Sequence, residues 1–140
     1  MTVTNEDLLR EGYQTFCNVD AFEDMIGPFL YKKLQGGEYA SAFVSENRHL
    51  NSGGNLHGGL LMSFADFAMF VIAKDHLDGN AVTVGFNSEF VSAGDAGTLI
   101  EASGEVTKAT GSLLFVRGKI FSSESTILTF SGILKKIRRR

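Results

Sequence analysis

The sequence predicts an α+β fold in which an antiparallel sheet curls around one long buried helix. Two patterns in the 140-residue chain lead to this class. The segment from Leu56 to about Lys74 is apolar nearly all round, and a helix without a polar face must be enclosed by protein. After Asp78-Gly79 the hydrophobic period switches to two, which is typical of strands. The length fits one domain spanning residues 1–140.

The amino-terminal segment, about residues 5–27, is predicted to be helical. Asn5 to Phe16 can form a helix with Asn5 or Thr4 as N-cap and with acidic residues in its first turn. Asp20 to Met25 adds a short helical turn. Pro28, the only proline, then ends helical continuity because its ring removes a backbone donor.

Strands are predicted on both sides of the long helix. Phe29 to Leu34 and Tyr39 to Glu46 precede it, and the glycine-rich segment Asn47 to Asn55 follows them as a loop. The four strands after the helix are Val82–Phe90, Leu99–Lys108, Ser112–Phe121 and Ser125–Lys136. Short turns join these four, which predicts an antiparallel meander. In the first of them, one face is expected to carry Val82, Val84, Phe86 and Phe90, alternating with Thr83, Asn87 and Glu89.

Charge and composition exclude several classes of protein. A net charge of −3 and a pI of about 5.6 leave no basic field for nucleic acid. The single Cys17 excludes an internal disulfide and is expected to be a small packed thiol, and no metal-ligand spacing or cofactor motif occurs. The start of the chain lacks the pattern of a signal peptide. The apolar run Leu60 to Ala73 is shorter than the ~20 residues of a membrane span and contains Asp66, so we expect no membrane partner and a cytoplasmic location.

The long helix begins at the segment His57–Gly59, which suits the stabilisation of negative charge. Glycines there leave backbone N–H groups uncovered, and the first N–H groups of a helix have no internal acceptor. Such groups can bind an anion, or the oxyanion formed when a thioester carbonyl is attacked. The alternative is a plain helix start whose glycines serve tight packing.

Asp66 interrupts the apolar helix near its middle. A carboxylate there costs several kcal/mol unless it is paired or faces a cavity, so its presence favours a general base. The structural alternative is a buried aspartate satisfied by Ser63, one turn earlier, or by neighbouring N–H groups.

The spacing of these two features predicts a shared active site. Asp66 lies eight residues after Gly58, which a helix converts to roughly 12 Å. That distance is too long for one helix to present both groups to the same carbonyl. Two antiparallel helices across a dimer would place Asp66 of one chain beside Gly58 of the other, with two equivalent sites per C₂ dimer.

These residues give the chain a family resemblance between about Tyr39 and Lys136. Asn51, the segment His57–Gly59, Asp66 and the strand Val82–Val84 together resemble the hotdog-fold thioesterases of the phenylacetate-pathway and 4-hydroxybenzoyl-CoA type. The resemblance implies an acyl-CoA substrate and dimerisation through sheet and helix, with a dimer of dimers common in the family.

The resemblance also implies roles for single residues. Asp66 would activate water or attack the thioester carbon, and the Gly58 N–H would polarise the carbonyl. Asn51 would orient water or substrate, and Thr83 would support the acid from the partner chain, unless it is an ordinary strand threonine. His57 would be a structural residue beside the oxyanion hole. The substrate-binding set is completed by Gly59, Asn55 and Ser63.

Several residues keep an open interpretation. Asn55 suits a helix cap as well as a substrate contact, and His49 and His76 are expected at the surface. The basic tail Lys135–Arg140 could meet CoA phosphates or simply be solvated. The large apolar residues of the amino-terminal segment could line an acyl pocket or could serve core or dimer packing; they are Phe16, Phe22, Met25, Phe29 and Tyr31.

Hydrolysis of an acyl-CoA to the free acid and CoA is therefore the leading hypothesis. A hotdog dehydratase or hydratase is a weaker alternative, because the chain lacks the Asn-Pro of such signatures. A non-catalytic acyl-CoA-binding module would lack the acid, and Asp66 is present. Phenylacetyl, hydroxybenzoyl and fatty acyl groups all stay open.

Overall fold

The computed structural model describes residues 2–16 and 19–137, and one six-stranded antiparallel sheet packed on a long helix dominates it. The helices are α1 Asn5–Arg10, α2 Ala21–Ile26 and α3 Gly58–Ile72, with 3₁₀ turns at Asn47–His49 and Lys74–His76. The strands are β1 Leu30–Lys33, β2 Tyr39–Val44, β3 Ala81–Phe90, β4 Leu99–Ala109, β5 Leu113–Ser122 and β6 Ser125–Lys136. The predicted α+β class is confirmed.

Helix α1 is shorter than the sequence predicts. Thr4 is the N-cap and forms a capping box with Asp7, but the helix ends at Arg10 rather than at Phe16. Beyond it, Gln14 exchanges two backbone hydrogen bonds with Tyr31 of β1, at 2.8 and 3.0 Å. The strand partner therefore replaces the last helical turns.

Helix α3 supplies one side of the core. Phe64, Ala65, Ala68 and Met69 are fully buried. They pack in one cluster with side chains from four strands, including Phe43, Ile100, Val116 and Leu128. Burial of each large apolar side chain stabilises the fold by about 1.5–3 kcal/mol, so the sheet fixes the rotation of α3 about its axis.

The strand order differs from the predicted meander. It is β1-β2-β4-β5-β6-β3, so only β4, β5 and β6 form a meander, and β3 pairs with β6 at the far edge. The connection from β3 to β4 crosses the molecule to the end of β2, where the Ser45 N–H donates to the Thr98 carbonyl at 2.9 Å and the Ser45 hydroxyl donates to the Asp95 carbonyl at 2.7 Å. These bonds place β4 beside β2.

Strand β3 also presents a different face from the one expected. Val82 and Val84 are 42% and 55% exposed, whereas Thr83 between them is half-buried and points toward α3. The prediction that the two valines share an inner face with Phe86 is wrong. The cause is a β-bulge between Thr83 and Gly85, since an extra residue in one strand reverses its alternation.

Candidate active site

One stripe of α3 is not covered by its own chain. Gly59, Ser63 and Asp66 are half-buried and Met62 is 39% exposed, at the i, i+3, i+4 and i+7 spacing of one helix face. All four line a cavity of about 420 Å³. The enclosure predicted for this helix is thus incomplete along the stripe that carries Asp66.

The carboxylate of Asp66 is held by Thr83. The Thr83 hydroxyl donates to Asp66 Oδ1 at 2.6 Å, which is in the range of charge-assisted O–H···O⁻ bonds. Asp66 Oδ2 has no hydrogen-bond donor among residues 2–16 and 19–137. One oxygen is therefore fixed, while the other is available to a ligand in the cavity.

The structure corrects one expectation about this pair and one alternative. Thr83 was expected to support the acid of a partner chain, but its hydrogen bond lies within one chain because the bulge turns Thr83 toward α3. Ser63 does not satisfy Asp66 either, since its hydroxyl donates to the Gly59 carbonyl at 2.8 Å.

The start of α3 leaves the Gly58 N–H group free in the described part of the chain. The N-cap is His57, not Asn55, and its ring Nδ1 accepts the Gly59 N–H at 2.8 Å. A Cβ on Gly59 would lie 3.1 Å from that ring nitrogen, and a Cβ on Gly58 would lie 2.9 Å from the Phe90 ring. Within the described ranges the Gly58 N–H has no acceptor. It is therefore available as a donor to a ligand.

Asn51 shapes the loop before α3. Its Oδ1 accepts the N–H groups of Gly53 and Asn55, at 2.9 and 3.1 Å, so this oxygen is used within the loop. Asn51, Asn55 and Gly58 together line a second cavity, of about 360 Å³, beside the exposed ring of Phe90. The side-chain amide nitrogen of Asn51 makes no hydrogen bond to the described part of the chain.

The site residues thus fall into two groups on one chain. Asn51, Asn55 and Gly58 lie at one cavity, and Gly59, Ser63 and Asp66 lie at the other. Gly58 and Asp66 belong to the same uninterrupted helix, which separates them by roughly 12 Å. A single chain therefore does not present the acid and the free N–H to one ligand atom.

Two residues near the site were misread or missed. His49 was expected at the surface, whereas it is 5% exposed; His76 is exposed as expected. His49 Nδ1 accepts the Glu46 N–H at 3.0 Å, and Nε2 lies 2.7 Å from the Ile26 carbonyl at the end of α2. Burial lowers the pKa of His49, in keeping with a neutral ring that accepts at Nδ1 and donates at Nε2. Its polar sequence neighbours gave no sign of this burial.

Glu23 of α2 is the missed residue. It lines the same cavity as Asp66, together with Asp20, Phe22 and Phe86. Burial, followed by the charges of Asp20 and Asp66, raises its pKa to about 7. Only the tertiary packing of α2 against α3 reveals it, because a glutamate in a short amphipathic segment reads as a surface residue.

The remaining predicted features divide between core and site. Phe16 stacks on the buried Tyr31 with ring centroids 4.3 Å apart, and Phe29 is buried in the core. Phe22 is 54% exposed and lines the Asp66 cavity. Cys17 lies outside the described residues. So do Arg138 to Arg140 of the basic tail, whereas its Lys135 and Lys136 lie in a groove beside Val82 and Val84.

The family model described as the thioesterase superfamily matches residues 53–129, more than half of the chain. The chain belongs to the thioesterase superfamily. The matched range includes Gly58, Asp66 and Thr83, whereas Glu23, His49 and Asn51 lie before it. The predicted family membership is thus confirmed.

Similar proteins agree with this assignment to the thioesterase superfamily. A Pseudomonas aeruginosa protein named "Putative esterase PA0474" is 27% identical over 88% of this chain and 93% of its own length. The E. coli PaaI protein, from the phenylacetic acid degradation operon, is 22% identical with a TM-score of 0.74 over 96% of this chain and 91% of its own. The Bacillus halodurans protein BH2602, solved with CoA, is 22% identical with a TM-score of 0.76 over 89% of this chain and 83% of its own. The hotdog fold is therefore confirmed. No helix within the described ranges is long and apolar enough to cross a membrane.

Proposed function

We propose that this chain is an acyl-CoA thioesterase whose active sites form between two copies. The proposal rests on the separation of two half-sites, which we define as the Asp66 carboxylate and the free Gly58 N–H. They lie at different cavities, about 12 Å apart on one helix. Two antiparallel α3 helices would bring Asp66 of one copy to Gly58 of the other. The CoA present in the Bacillus halodurans structure supports an acyl-CoA as the ligand.

The exposed edge of the sheet supports pairing with a second copy. In the described part of the chain β3 is bonded only to β6, and its free edge carries the exposed Val82 and Val84. A long apolar edge strand left unpaired is an aggregation hazard that proteins normally cover. Pairing of two β3 edges about a two-fold axis would cover it and would turn the two α3 stripes toward each other.

In the proposed reaction, water attacks the thioester carbon. Asp66 Oδ2 accepts a proton from the water while Thr83 holds Oδ1, and the negative charge that develops on the carbonyl oxygen is stabilised by the Gly58 N–H of the other copy. The C–S bond then breaks, and the thiolate of CoA takes up a proton. In the alternative route Asp66 itself attacks the carbon, the C–S bond breaks with release of the CoA thiolate, which takes up a proton, and water then hydrolyses the resulting anhydride. Asn51 lies on the Gly58 side, where it would orient substrate or water.

The test is thiol release from a panel of aryl and alkyl acyl-CoAs, covering phenylacetyl, hydroxybenzoyl and fatty acyl groups. Asp66→Asn, which keeps the shape and removes the charge, is expected to lower kcat by about 10²–10⁴. Unchanged hydrolysis by this variant would refute the mechanism. Acyl-CoA binding without hydrolysis by the unaltered protein would instead identify a binding module. A single domain, a cytoplasmic location and a dimer of dimers stay predictions.

A further inference from the structure

The cavity at Asp66 has an acidic wall opposite the helix. Asp20, the N-cap of α2, and Glu23 of α2 line it together with Asp66, and none of its described lining residues carries a positive charge. The rest of the lining is largely apolar, with Phe22, Met62 and Phe86 among it. An acyl group in this cavity would therefore meet apolar side chains and carboxylates.

Helix α2 is fixed in this position by the turn that precedes the Asn51 loop. Arg48 donates to the Met25 carbonyl at 2.7 Å and also to the Gly27 carbonyl, and His49 Nε2 donates to the Ile26 carbonyl at 2.7 Å. Because three carbonyls at the end of α2 are held, the helix that carries the half-buried Glu23 is fixed beside the cavity.

We propose that Glu23 makes the acyl pocket selective for uncharged acyl groups and against acyl groups that end in a carboxylate. This inference rests on the proposed thioesterase function, with the Asp66 cavity as the acyl pocket. Two unit charges of the same sign about 7 Å apart, at an effective dielectric constant of about 20, lower the affinity for the charged acyl group roughly 50-fold. The opening of the cavity to solvent screens the charges and reduces this effect.

The ionisation of Glu23 sets the pH of the test. Burial raises its pKa to about 7, and the charged groups that face it, the N-cap Asp20, Asp24 of α2 and Asp66 of α3, are all acids. The other elements around it contribute uncharged side chains, such as Phe86 of β3 and Phe29 before β1. Assays at pH 8 therefore compare substrates against a mostly ionised Glu23.

Hexanoyl-CoA and adipoyl-CoA form a suitable substrate pair, because both acyl chains have six carbons and only the second ends in a carboxylate. We expect kcat/KM for hexanoyl-CoA to exceed that for adipoyl-CoA at least about tenfold. Glu23→Gln should reduce this ratio about three- to tenfold while hexanoyl-CoA hydrolysis continues. Glu124→Gln is the control, since Glu124 lies at an exposed turn and does not line this cavity; it should keep the ratio.

A binding measurement separates this inference from the proposed function. The non-hydrolysable thioethers S-hexyl-CoA and S-(5-carboxypentyl)-CoA report selectivity whether or not the protein is a hydrolase. Tighter binding of the hexyl compound, with a preference that Glu23→Gln reduces, supports the role of Glu23 even if no thioester is hydrolysed. The absence of hydrolysis would refute only the proposed thioesterase activity. The role of Glu23 would be overturned if the two thioethers bound equally and the two thioesters were hydrolysed equally. It would also be overturned if Glu23→Gln left the hexyl-to-carboxypentyl and hexanoyl-to-adipoyl ratios unchanged.

Discussion

At the scale of single residues, the proposed chemistry depends on the carboxylate of Asp66 and the N–H of Gly58. Thr83 fixes one oxygen of the carboxylate at 2.6 Å and leaves the other open to the cavity. His57 accepts the Gly59 N–H, and the neighbouring Gly58 N–H has no acceptor among the described residues. In both cases a neighbouring side chain binds the adjacent atom, Asp66 Oδ1 or the Gly59 nitrogen, and leaves the reactive group available.

Gly58→Pro tests the N–H directly. Gly58 is the first residue of α3, a position that tolerates proline, and His57 has the extended φ and ψ of −64° and 134° that a residue before proline requires. The substitution therefore removes the donor with little cost to the helix, and kcat should fall about 10²–10³-fold. Gly58→Ala is the control: it adds the same Cβ near Phe90 but keeps the N–H, so its kcat should fall much less. Equal losses in the two variants would assign the effect to crowding.

Glu23→Gln is expected to stabilise the protein in a pH-dependent way. The pKa of Glu23 is about 7 in the folded chain and about 4.5 in the unfolded one, so the folded state binds more protons between these values and stability falls as the pH rises through this window. The glutamine removes this penalty. Urea unfolding should show a gain of roughly 1 kcal/mol at pH 8, after allowance for solvent screening, and a smaller gain at pH 5. Glu124→Gln, at an exposed turn, should show neither. The same gain at both pH values would contradict the assignment.

At the scale of elements, α2 and the loop before α3 act as one unit joined by His49. The ring of His49 contacts Glu46 and Ile26, and its carbonyl accepts the His57 N–H at 2.9 Å. The end of α2, the 3₁₀ turn and the N-cap of α3 therefore meet at one buried residue. A shift in any of them would move both the wall of the Asp66 cavity and the start of α3.

His49→Ala is expected to lower the free energy of unfolding by about 2–3 kcal/mol, because it leaves the Glu46 N–H and the Ile26 carbonyl without partners. Loosening α2 should raise KM more than it lowers kcat. Burial lowers the pKa of His49 below the ordinary 6.5, so its contribution is present at higher pH and is lost as the pH falls below about 6.5. The difference from the unaltered protein should therefore shrink at pH 5. His76→Ala, at an exposed histidine, is the control, and a pH-independent difference would argue against a neutral His49.

The elements that local pattern determines were predictable, and those that distant contacts determine were not. Helix α3 and the strands follow the periodicity of the sequence within a few residues. The place of β4 beside β2, rather than beside β3, depends on Ser45, which is far from β4 in the sequence, and the inward turn of Thr83 depends on a bulge that alternation cannot reveal. The motif residues Gly58 and Asp66 were found because they break local rules. Glu23 and His49 were not, because burial by another element gives them their roles.

At the scale of the whole molecule, the proposed active site requires two copies of the chain. A second copy would complete three features of one chain: the edge of β3 that the described residues leave unpaired, the open stripe of α3, and the separation of Asp66 from the Gly58 N–H. Hydrolysis should therefore decline when the dimer is diluted below its dissociation constant.

Val84→Lys tests the contribution of the sheet edge. Val84 is 55% exposed on β3, and a lysine there is a common device that keeps edge strands from pairing. The variant should sediment as a monomer and lose most activity while its circular dichroism is retained. Val19→Lys, at a position 78% exposed outside the sheet, should leave both the dimer and the activity intact. A fully active Val84→Lys monomer would show that one chain suffices.

The most direct test of the shared site is a mixed dimer of Asp66→Asn and Gly58→Pro chains, coexpressed with two different tags and purified through both. In a shared site, Asp66 of the Gly58→Pro chain works with Gly58 of the Asp66→Asn chain, so one of the two sites is intact. A shared site predicts that the mixed dimer hydrolyses acyl-CoA at about half the rate of the unaltered dimer, although each variant alone is nearly inactive. A mixed dimer as inactive as its two parents would contradict it.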